Sequence, residues 1–379
     1  MDGISAIAPP KMNEQVERDL RLDACRGIAL WFIFLDHIPG NIGSWLTLNH
    51  YGFSDTSEFF MFVSGMTCAL AYGQVQRRDG WFAVVSHTVR RSWEIYAAFL
   101  TLTVACVVMV YLVGGGQFAD QTNTRIVLEQ PGQALAHAAS LQYRPVDTDV
   151  LPTFVLFHLL FAPLLWLLMK MPGVALGASL LLYVLVQHFG WNLPQWPINE
   201  WYFNPFAWQV LVVLGAWWQT NGRFLLRSQL KSRAVTGFAA VYLIFAFVLT
   251  LGWSFKPLEA PMPQVLIDLI YPIEKSDLDP LRLLHFLAIA VLVAAFVPRE
   301  WKGLTTPILR GAIRCGENSL EIYCAGVLLV LASRVFLVKI SDGLAMQVAL
   351  SLGGVLALVA IATLLTSVKI ASRTEPRLF

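Results

Sequence analysis

Apolar segments long enough to cross a bilayer recur along almost the whole chain, and they limit its fold more than any other feature. A helix of about 20 apolar residues spans the hydrocarbon core because its backbone polar groups bond to one another. Only 14% of the 379 residues are charged, and the mean hydropathy is +0.60. Charged side chains are therefore too few to cover the surface of a soluble protein of this length. We predict an all-α polytopic membrane protein.

About ten segments meet the length requirement for a membrane-spanning helix. They centre on residues 22–38, 53–73, 93–113, 151–170, 173–189, 204–219, 234–252, 281–298, 318–338 and 344–368. Lys and Arg are roughly fourfold more frequent in one alternate set of connecting loops, and the positive-inside rule assigns that set to the cytoplasm. Both termini then lie in the cytoplasm, which agrees with an even number of spans.

The chain accordingly divides into a cytoplasmic tail at residues 1–21, a single transmembrane domain at 22–368 and a second cytoplasmic tail at 369–379. The first tail is polar and has no apolar stretch, so we expect no cleaved signal peptide. The five cysteines lie in or beside apolar segments without metal-like spacing, which indicates free thiols. No HExxH, CxxC, G-x-S-x-G or P-loop motif is present, so we predict no metal site, serine nucleophile or ATP-driven chemistry.

The first apolar segment carries an arginine and a histidine on one helical face. Arg26 and His37 are separated by eleven residues, which is about three helical turns and roughly 16 Å along the axis. At this spacing both side chains project in nearly the same direction. A membrane helix that keeps two polar residues on one stripe indicates a polar path. The simpler alternatives are a hydrogen-bonded structural histidine and an arginine that anchors the helix by pairing with Asp23.

Three carboxylates are predicted at the same outer depth as His37. Asp36 precedes it directly, and Asp55 and Glu58 begin the next apolar segment. A histidine beside carboxylates near a water boundary has the properties of a general base that acts on a hydroxyl. Because Asp36 projects roughly 100° away from His37 on an ideal helix, Glu58 or Asp55 is the better orienting partner. We predict these four residues as the catalytic group.

The stripe on the first segment also suggests the shape of a ligand. An arginine near the cytoplasmic end and a histidine near the outer end fit a long molecule with a phosphorylated head and a distant reactive group. Acyl-coenzyme A has this form. Arg90 and Arg91, in a basic cytoplasmic cluster, join Arg26 as predicted coenzyme A ligands, although the positive-inside rule alone also explains that cluster.

The outer loops are rich in Trp, Tyr, Pro and Asn, a composition that suits carbohydrate because sugar C–H faces stack on aromatic rings. The alternative is an interfacial aromatic belt. The predicted substrate-binding residues are Asn41, Asn204, Trp208, Gln209, Lys275, Arg282 and His285. A cation such as Lys275 or Arg282 would favour a dicarboxylic acyl group, although pairing with Asp277 or Asp279 is the simpler explanation.

The motif LDACRGIALWFIFLDH resembles the first-helix signature of the acyltransferase-3 superfamily, Leu-Asp-x-x-Arg-Gly followed by a histidine eleven residues after the arginine. More closely, DLRLDACRGIALWFIFLDHIPGN, GFSDTSEFFMFVSG, FNPFAWQ, PLRLLHFLA and CGENSLEIYC resemble the OpgC family, which comprises inner-membrane succinyltransferases that modify osmoregulated periplasmic glucans. The late superfamily run S-Y-x-x-Y-L-x-H stands here as SLEIYCAG, without its histidine.

The resemblance implies a ten-helix fold in the bacterial inner membrane, with cytoplasmic succinyl-CoA as donor and a periplasmic β-glucan as acceptor. It equates Arg26 with the superfamily arginine and His37 with the proposed catalytic histidine, at a site that faces the periplasm. Asp36, Asp55 and Glu58 match family positions. The expected partners are succinyl-CoA, the glucan and membrane lipids, with no nucleic acid and no permanently bound cofactor. The alternatives are an acetyl-CoA-dependent polysaccharide O-acetyltransferase and a secondary transporter.

Overall fold

The computed structural model describes residues 19–226, 228–254, 264–265, 270–297 and 301–374, and the protein is about 80% helical. We number the helices in chain order. They are α1 Leu20–His37, α2 Thr56–Leu112, α3 Gln117–Gln121, α4 Arg125–Glu129, α5 Pro131–Ala139, α6 Val150–Leu159, α7 Phe161–Lys170, α8 Pro172–Phe189, α9 Pro205–Trp217, α10 Arg223–Leu225, α11 Arg233–Ser254, α12 Pro280–Phe296, α13 Pro307–Glu317, α14 Ser319–Lys339 and α15 Leu344–Thr374. Two short antiparallel strands, β1 Pro194–Gln195 and β2 Asn199–Glu200, precede α9.

Each predicted apolar segment overlaps a helix, and the all-α class is confirmed. Among the described residues, five helices are long and apolar enough to cross a membrane, and the number rises to six if α6 and α7, bent by 54°, form one span. Those five are α2, α8, α11, α14 and α15. The number ten and the cytoplasmic termini therefore remain predictions. Of the predicted tails, residues 1–18 and 375–379 lie outside the described residues, and α15 continues through residues 369–374.

Two of the predicted spans belong to one long helix that turns in its middle. Helix α2 contains 57 residues, and Gly80 interrupts it with φ 83° and ψ −177°. Tyr72 and Arg91, on opposite sides of this glycine, line one cavity. A straight helix would hold them roughly 28 Å apart. The positive φ at Gly80, a conformation that glycine adopts without a steric penalty, therefore lets the two halves approach each other.

Glycines allow two pairs of helices to pack backbone against backbone. A Cβ atom on Gly27 would lie 1.8 Å from a backbone oxygen of α13, and one on Gly316 would lie 1.9 Å from a backbone oxygen of α1. In the same way, a Cβ atom on Gly65 of α2 would lie 2.1 Å from a backbone oxygen of α9, and one on Gly215 of α9 would lie 2.0 Å from a backbone oxygen of α2. Small residues at such crossings are typical of membrane helix pairs. They hold α1 and α2, which carry His37 and the three predicted coenzyme A ligands, against fixed neighbours.

The segment between α2 and α6 folds into the short helices α3, α4 and α5. Val127, Ala134, Ala138 and Tyr143 form a small apolar cluster of their own. The Tyr143 hydroxyl donates to the carbonyl of Asn123 at 2.5 Å, and the Asn123 amide donates to the carbonyl of residue 144 at 3.0 Å. These contacts fasten the loop at residues 140–149, which reaches the candidate site described below.

Candidate active site

Two cavities share part of their lining. The first, which we call the arginine cavity, has a volume of about 440 Å³ and is lined in part by Arg26, Arg90 and Arg91. The second, which we call the histidine cavity, has a volume of about 350 Å³ and includes His37 and Lys275 in its lining. Both cavities are lined by Phe60, Val150 and Tyr323.

The arginine cavity brings together the three arginines that the sequence singles out. Arg26 of α1 donates a hydrogen bond to the hydroxyl of Ser319 on α14. Arg90 and Arg91 of α2 both contact the carboxylate of Glu94, at 3.1 and 3.0 Å. Arg90 and Arg91 share this one carboxylate, so the pair keeps an excess of positive charge for an anionic ligand.

A histidine and a cysteine form a second polar pair in the wall of the arginine cavity. The His158 ring donates through Nδ1 to the carbonyl of Phe154 at 2.9 Å. Its Nε2 atom, which then carries the lone pair, lies 3.6 Å from the Sγ atom of Cys68. Both side chains line the cavity. Because Cys68 is a free thiol, it offers a chemical probe of what occupies this space.

His37 lies at the end of α1 with its tautomer fixed. Its Nδ1 atom is 2.6 Å from the carbonyl oxygen of Ile33. A carbonyl can only accept, so Nδ1 carries the proton and Nε2 carries the lone pair. The Nε2 atom lies 3.7 Å from Oδ1 of Asp147, and 37% of the histidine side chain is exposed. An accessible imidazole with a free Nε2 lone pair can accept a proton from a hydroxyl.

The carboxylate next to His37 is Asp147, in place of the predicted Glu58 or Asp55. Asp147 has φ 69°, and the Tyr323 hydroxyl donates to its carbonyl at 2.5 Å. Its Oδ2 atom receives a contact from Arg334 at 3.3 Å. Neither Asp147 nor Arg334 was predicted from the sequence. The available signals were the polar run QYRPVDTD at 142–149 and an arginine inside a predicted span.

Asp55 and Glu58 belong to a buried ionic cluster with two cations. The Arg282 guanidinium lies 2.6 Å from Glu58 and 3.1 Å from Asp55, and the Lys275 ammonium lies 2.6 Å from Asp55. The two acids also form the capping box that begins α2. The cluster contains two negative and two positive side chains, so each buried charge has a partner of opposite sign. Asp36 is engaged elsewhere, because it accepts a hydrogen bond from the Thr47 hydroxyl at 2.6 Å.

Two of the predicted substrate residues hold the loop that carries Lys275. The indole of Trp208 donates to the carbonyl of Ser276 at 2.9 Å. The amide of Asn204 donates to the carboxylate of Asp277 at 2.8 Å. Burial lowers the pKa of the Lys275 ammonium, but the neighbouring Asp55 outweighs it, and the pKa is raised above its usual value. Lys275 therefore remains charged at the edge of the histidine cavity.

The remaining predicted substrate residues stand in the scaffold and line neither cavity. Asn41 donates to the carbonyl of residue 35 at 3.0 Å, and Gln209 donates to the carbonyl of residue 179 at 2.9 Å. His285 hydrogen-bonds the Ser54 hydroxyl at 2.7 Å, and Arg282 is held in the ionic cluster. Of the seven predicted substrate residues, Lys275 is the one that reaches a cavity described here. Within the described residues, no group of three or more His, Cys, Asp or Glu side chains could hold a metal ion.

The model of the OpgC protein family matches residues 18–370. The chain belongs to the OpgC family. Membership indicates an acyltransferase that acts on glucans, and the apolar helices agree with a membrane protein. Comparisons with curated proteins and with solved structures find no match.

In this OpgC-family chain, loop residues complete the histidine cavity. Asp149 lines it, and its carboxylate lies 3.1 Å from the Nε atom of Arg144, whose side chain is only 1% exposed. Arg144 in turn stacks on the ring of Trp201, 4.7 Å from its centroid. Burial raises the pKa of the Asp149 carboxyl to about 6, against the opposing effect of Arg144. The cavity thus combines a histidine, two aspartates and one lysine, a set that can bind and deprotonate hydroxyl groups.

Proposed function

We propose that this OpgC-family protein moves a succinyl group from cytoplasmic succinyl-CoA to a hydroxyl of a periplasmic glucan. The observation that supports this most is the pair of adjoining cavities, one lined by three arginines and one lined by His37. A donor with a phosphorylated head and a distant thioester needs two such environments at opposite ends of one path. The proposal includes ten spans, both tails in the cytoplasm and location in the bacterial inner membrane.

The donor enters from the cytoplasm, with its phosphates at the arginine cavity. Arg26, Arg90 and Arg91 bind them by charge-assisted hydrogen bonds, and a phosphate competes with Glu94 for the latter two. The pantetheine arm then passes between the three residues that line both cavities. The thioester thereby reaches His37, which faces the periplasmic acceptor.

His37 acts as the general base in the transfer step. Its Nε2 atom takes the proton of a glucan hydroxyl while the hydroxyl oxygen attacks the thioester carbonyl carbon. The C–S bond then breaks, and the coenzyme A thiolate takes the proton back from the imidazolium. Asp147, 3.7 Å from Nε2, stabilises the imidazolium while it exists. General-base assistance supplies about 10²–10⁴-fold, and alignment of the two substrates supplies much of the rest.

Lys275 supports a dicarboxylic acyl group. In the described lining of the histidine cavity, Lys275 is the one residue that is Lys or Arg. A free succinyl carboxylate can share its ammonium with Asp55. The second candidate is an acetyl-CoA-dependent transferase with the same mechanism. The 2.6 Å ion pair between Lys275 and Asp55 favours that candidate, because it already neutralises the cation.

The decisive experiment uses purified protein in nanodiscs with succinyl-CoA or acetyl-CoA and a β-glucan. We expect glucan-dependent release of free thiol and a gain of one succinyl mass on the glucan. His37→Ala should lower the rate by about 10²–10⁴-fold. His188→Ala, an exposed histidine outside both cavities, is the matched control.

An acetyl gain would keep the mechanism and change the donor. Wild-type turnover by His37→Ala would contradict its assignment as the base. Folded protein that releases no thiol from either donor would overturn the transferase proposal and favour the secondary transporter.

A further inference from the structure

Tyr202 is an exposed aromatic residue held between two buried ones. Trp201 and Phe203 are 4% and 8% exposed, whereas Tyr202 is 43% exposed. Trp201 lies under the Arg144 guanidinium at 4.7 Å, and Phe203 packs edge-on against Trp208 at 4.8 Å. These contacts fix the backbone on both sides. The Tyr202 ring itself packs edge-on against Phe203, with 5.2 Å between the ring centroids, so it has a defined position although nearly half of it is exposed.

This ring belongs to the lining of the histidine cavity. Tyr202, Asp149 and His37 all line that space. Arg144 holds the Asp149 carboxylate at 3.1 Å on one side, and 23% of the carboxylate side chain stays exposed. The cavity thus presents an aromatic surface and a fixed hydrogen-bond acceptor near the histidine.

A pyranose ring needs this combination of groups. Its C–H face is apolar and stacks on an aromatic ring, while its hydroxyls need polar partners. Asp147 and Asp149, which line the same cavity, offer carboxylate oxygens that accept hydrogen bonds from hydroxyls, and Lys275 stays available for the succinyl carboxylate. The aromatic ring and the carboxylates of this lining therefore suit a sugar.

We propose that Tyr202 and Asp149 form the subsite that binds the acceptor sugar. The Tyr202 ring stacks on the pyranose that carries the reacting hydroxyl, and Asp149 accepts a hydrogen bond from a neighbouring hydroxyl. The sugar is thereby oriented so that one hydroxyl faces Nε2 of His37. This subsite rests on the proposed function, because it assumes that a glucan enters the histidine cavity.

The test compares Tyr202→Ala, Tyr202→Phe and Asp149→Asn in nanodiscs, with separate KM values for the β-glucan and for succinyl-CoA. We expect Tyr202→Ala to raise the glucan KM roughly three- to tenfold, which corresponds to the loss of one aromatic contact. Tyr202→Phe should retain most of the affinity, whereas Asp149→Asn should raise the glucan KM because an amide oxygen accepts a weaker hydrogen bond than a carboxylate. The KM for succinyl-CoA should not change in any of the three. Tyr111→Ala, an exposed tyrosine outside both cavities, is the matched control.

A second measurement separates this subsite from the chemistry. Equilibrium binding of the same β-glucan to Tyr202→Ala in a His37→Ala background should weaken by the same factor relative to His37→Ala alone. An unchanged glucan affinity in both measurements would overturn the subsite, even if the wild type transfers succinyl groups. Absence of glucan-dependent thiol release from the wild type would instead overturn the proposed function, and equilibrium binding would still test Tyr202.

Discussion

The arginine cavity and the histidine cavity differ in the type of structure that forms them. Every described lining residue of the arginine cavity lies on a helix, namely α1, α2, α6 or α14. The histidine cavity takes Asp147, Asp149, Tyr202 and Lys275 from loops, in addition to the helix residues. Helices packed through close backbone contacts provide a rigid wall, whereas loops can vary without disturbing the bundle.

Under the proposed function, this difference separates two tasks. The donor ends in a constant phosphorylated group, which a fixed set of arginines can bind. The acceptor and the acyl group carry the specificity, and the residues suited to recognise them come from loops. If the two cavities act as one path, changes at the shared lining should lower transfer strongly without touching the base, and changes in one cavity should leave binding in the other intact.

Apart from loss of His37 itself, the largest effect is expected at the shared lining. Val150→Trp adds bulk where both cavities meet and should lower the rate of transfer by about 10²-fold. A displacement of the reacting groups by about 1 Å is enough to lower a rate by this factor. Coenzyme A binding and glucan binding should each persist. Val174→Trp, a substitution on an exposed surface of α8, controls for the added volume. Near-normal transfer by Val150→Trp would show that the donor does not pass this point.

The arginine cavity was predictable because helical periodicity converts sequence spacing into spatial proximity. Eleven residues along α1 placed Arg26 on the same stripe as His37, and both residues line cavities that meet. Arg90 and Arg91 were found through the basic cluster. Separate spans at 53–73 and 93–113 already predicted that the chain reverses between them, but the sequence did not reveal that the reversal occurs at Gly80 without an intervening loop.

The second-largest effect of the three is expected at Arg26. Arg26→Glu should raise the KM for succinyl-CoA about 30-fold, because it replaces a charge-assisted contact with a repulsive one. The glucan KM should not change. Arg21→Glu is the matched control, because Arg21 lies on the same helix outside the cavity and pairs with Asp19.

A thiol-labelling assay measures donor binding directly. In a variant that keeps Cys68 as its one cysteine, coenzyme A should slow maleimide labelling of the cavity thiol. Arg26→Glu should remove this protection without changing the labelling rate of the free protein. Full protection in the variant would assign Arg26 to anchoring the helix.

The histidine cavity was harder to predict, because its residues meet only in the folded chain. Glu58 and Asp55 are close to His37 in sequence, but the run DTSE is a capping box, and buried cations engage both acids. Asn204 likewise begins α9 as its N-cap, followed by Pro205. These local signals indicated structural roles and were available in the sequence. Asp147 lies in a polar run, but nothing in that run indicates its position beside His37, because tertiary contacts of its loop bring it to α1.

Asp147→Asn should produce the smallest of the three effects and the most selective one. The Ile33 carbonyl already fixes the His37 tautomer, so Asp147 contributes only the stabilisation of the imidazolium. At 3.7 Å and partial exposure, this contribution is about 1–2 kcal/mol, and its loss should lower kcat about tenfold. The KM values for both substrates should stay unchanged. Asp79→Asn, outside both cavities, is the matched control.

Whether Asp147→Asn changes kcat or the glucan KM distinguishes stabilisation of the imidazolium from support of the loop. If Asp147 mainly holds the loop through Arg334, the substitution should also displace Asp149 and raise the glucan KM. A change in kcat alone would assign Asp147 to the imidazolium and make the loop at 140–149 part of the chemistry. A change in glucan KM alone would leave His37 to act without a carboxylate partner and would make this loop a binding element only.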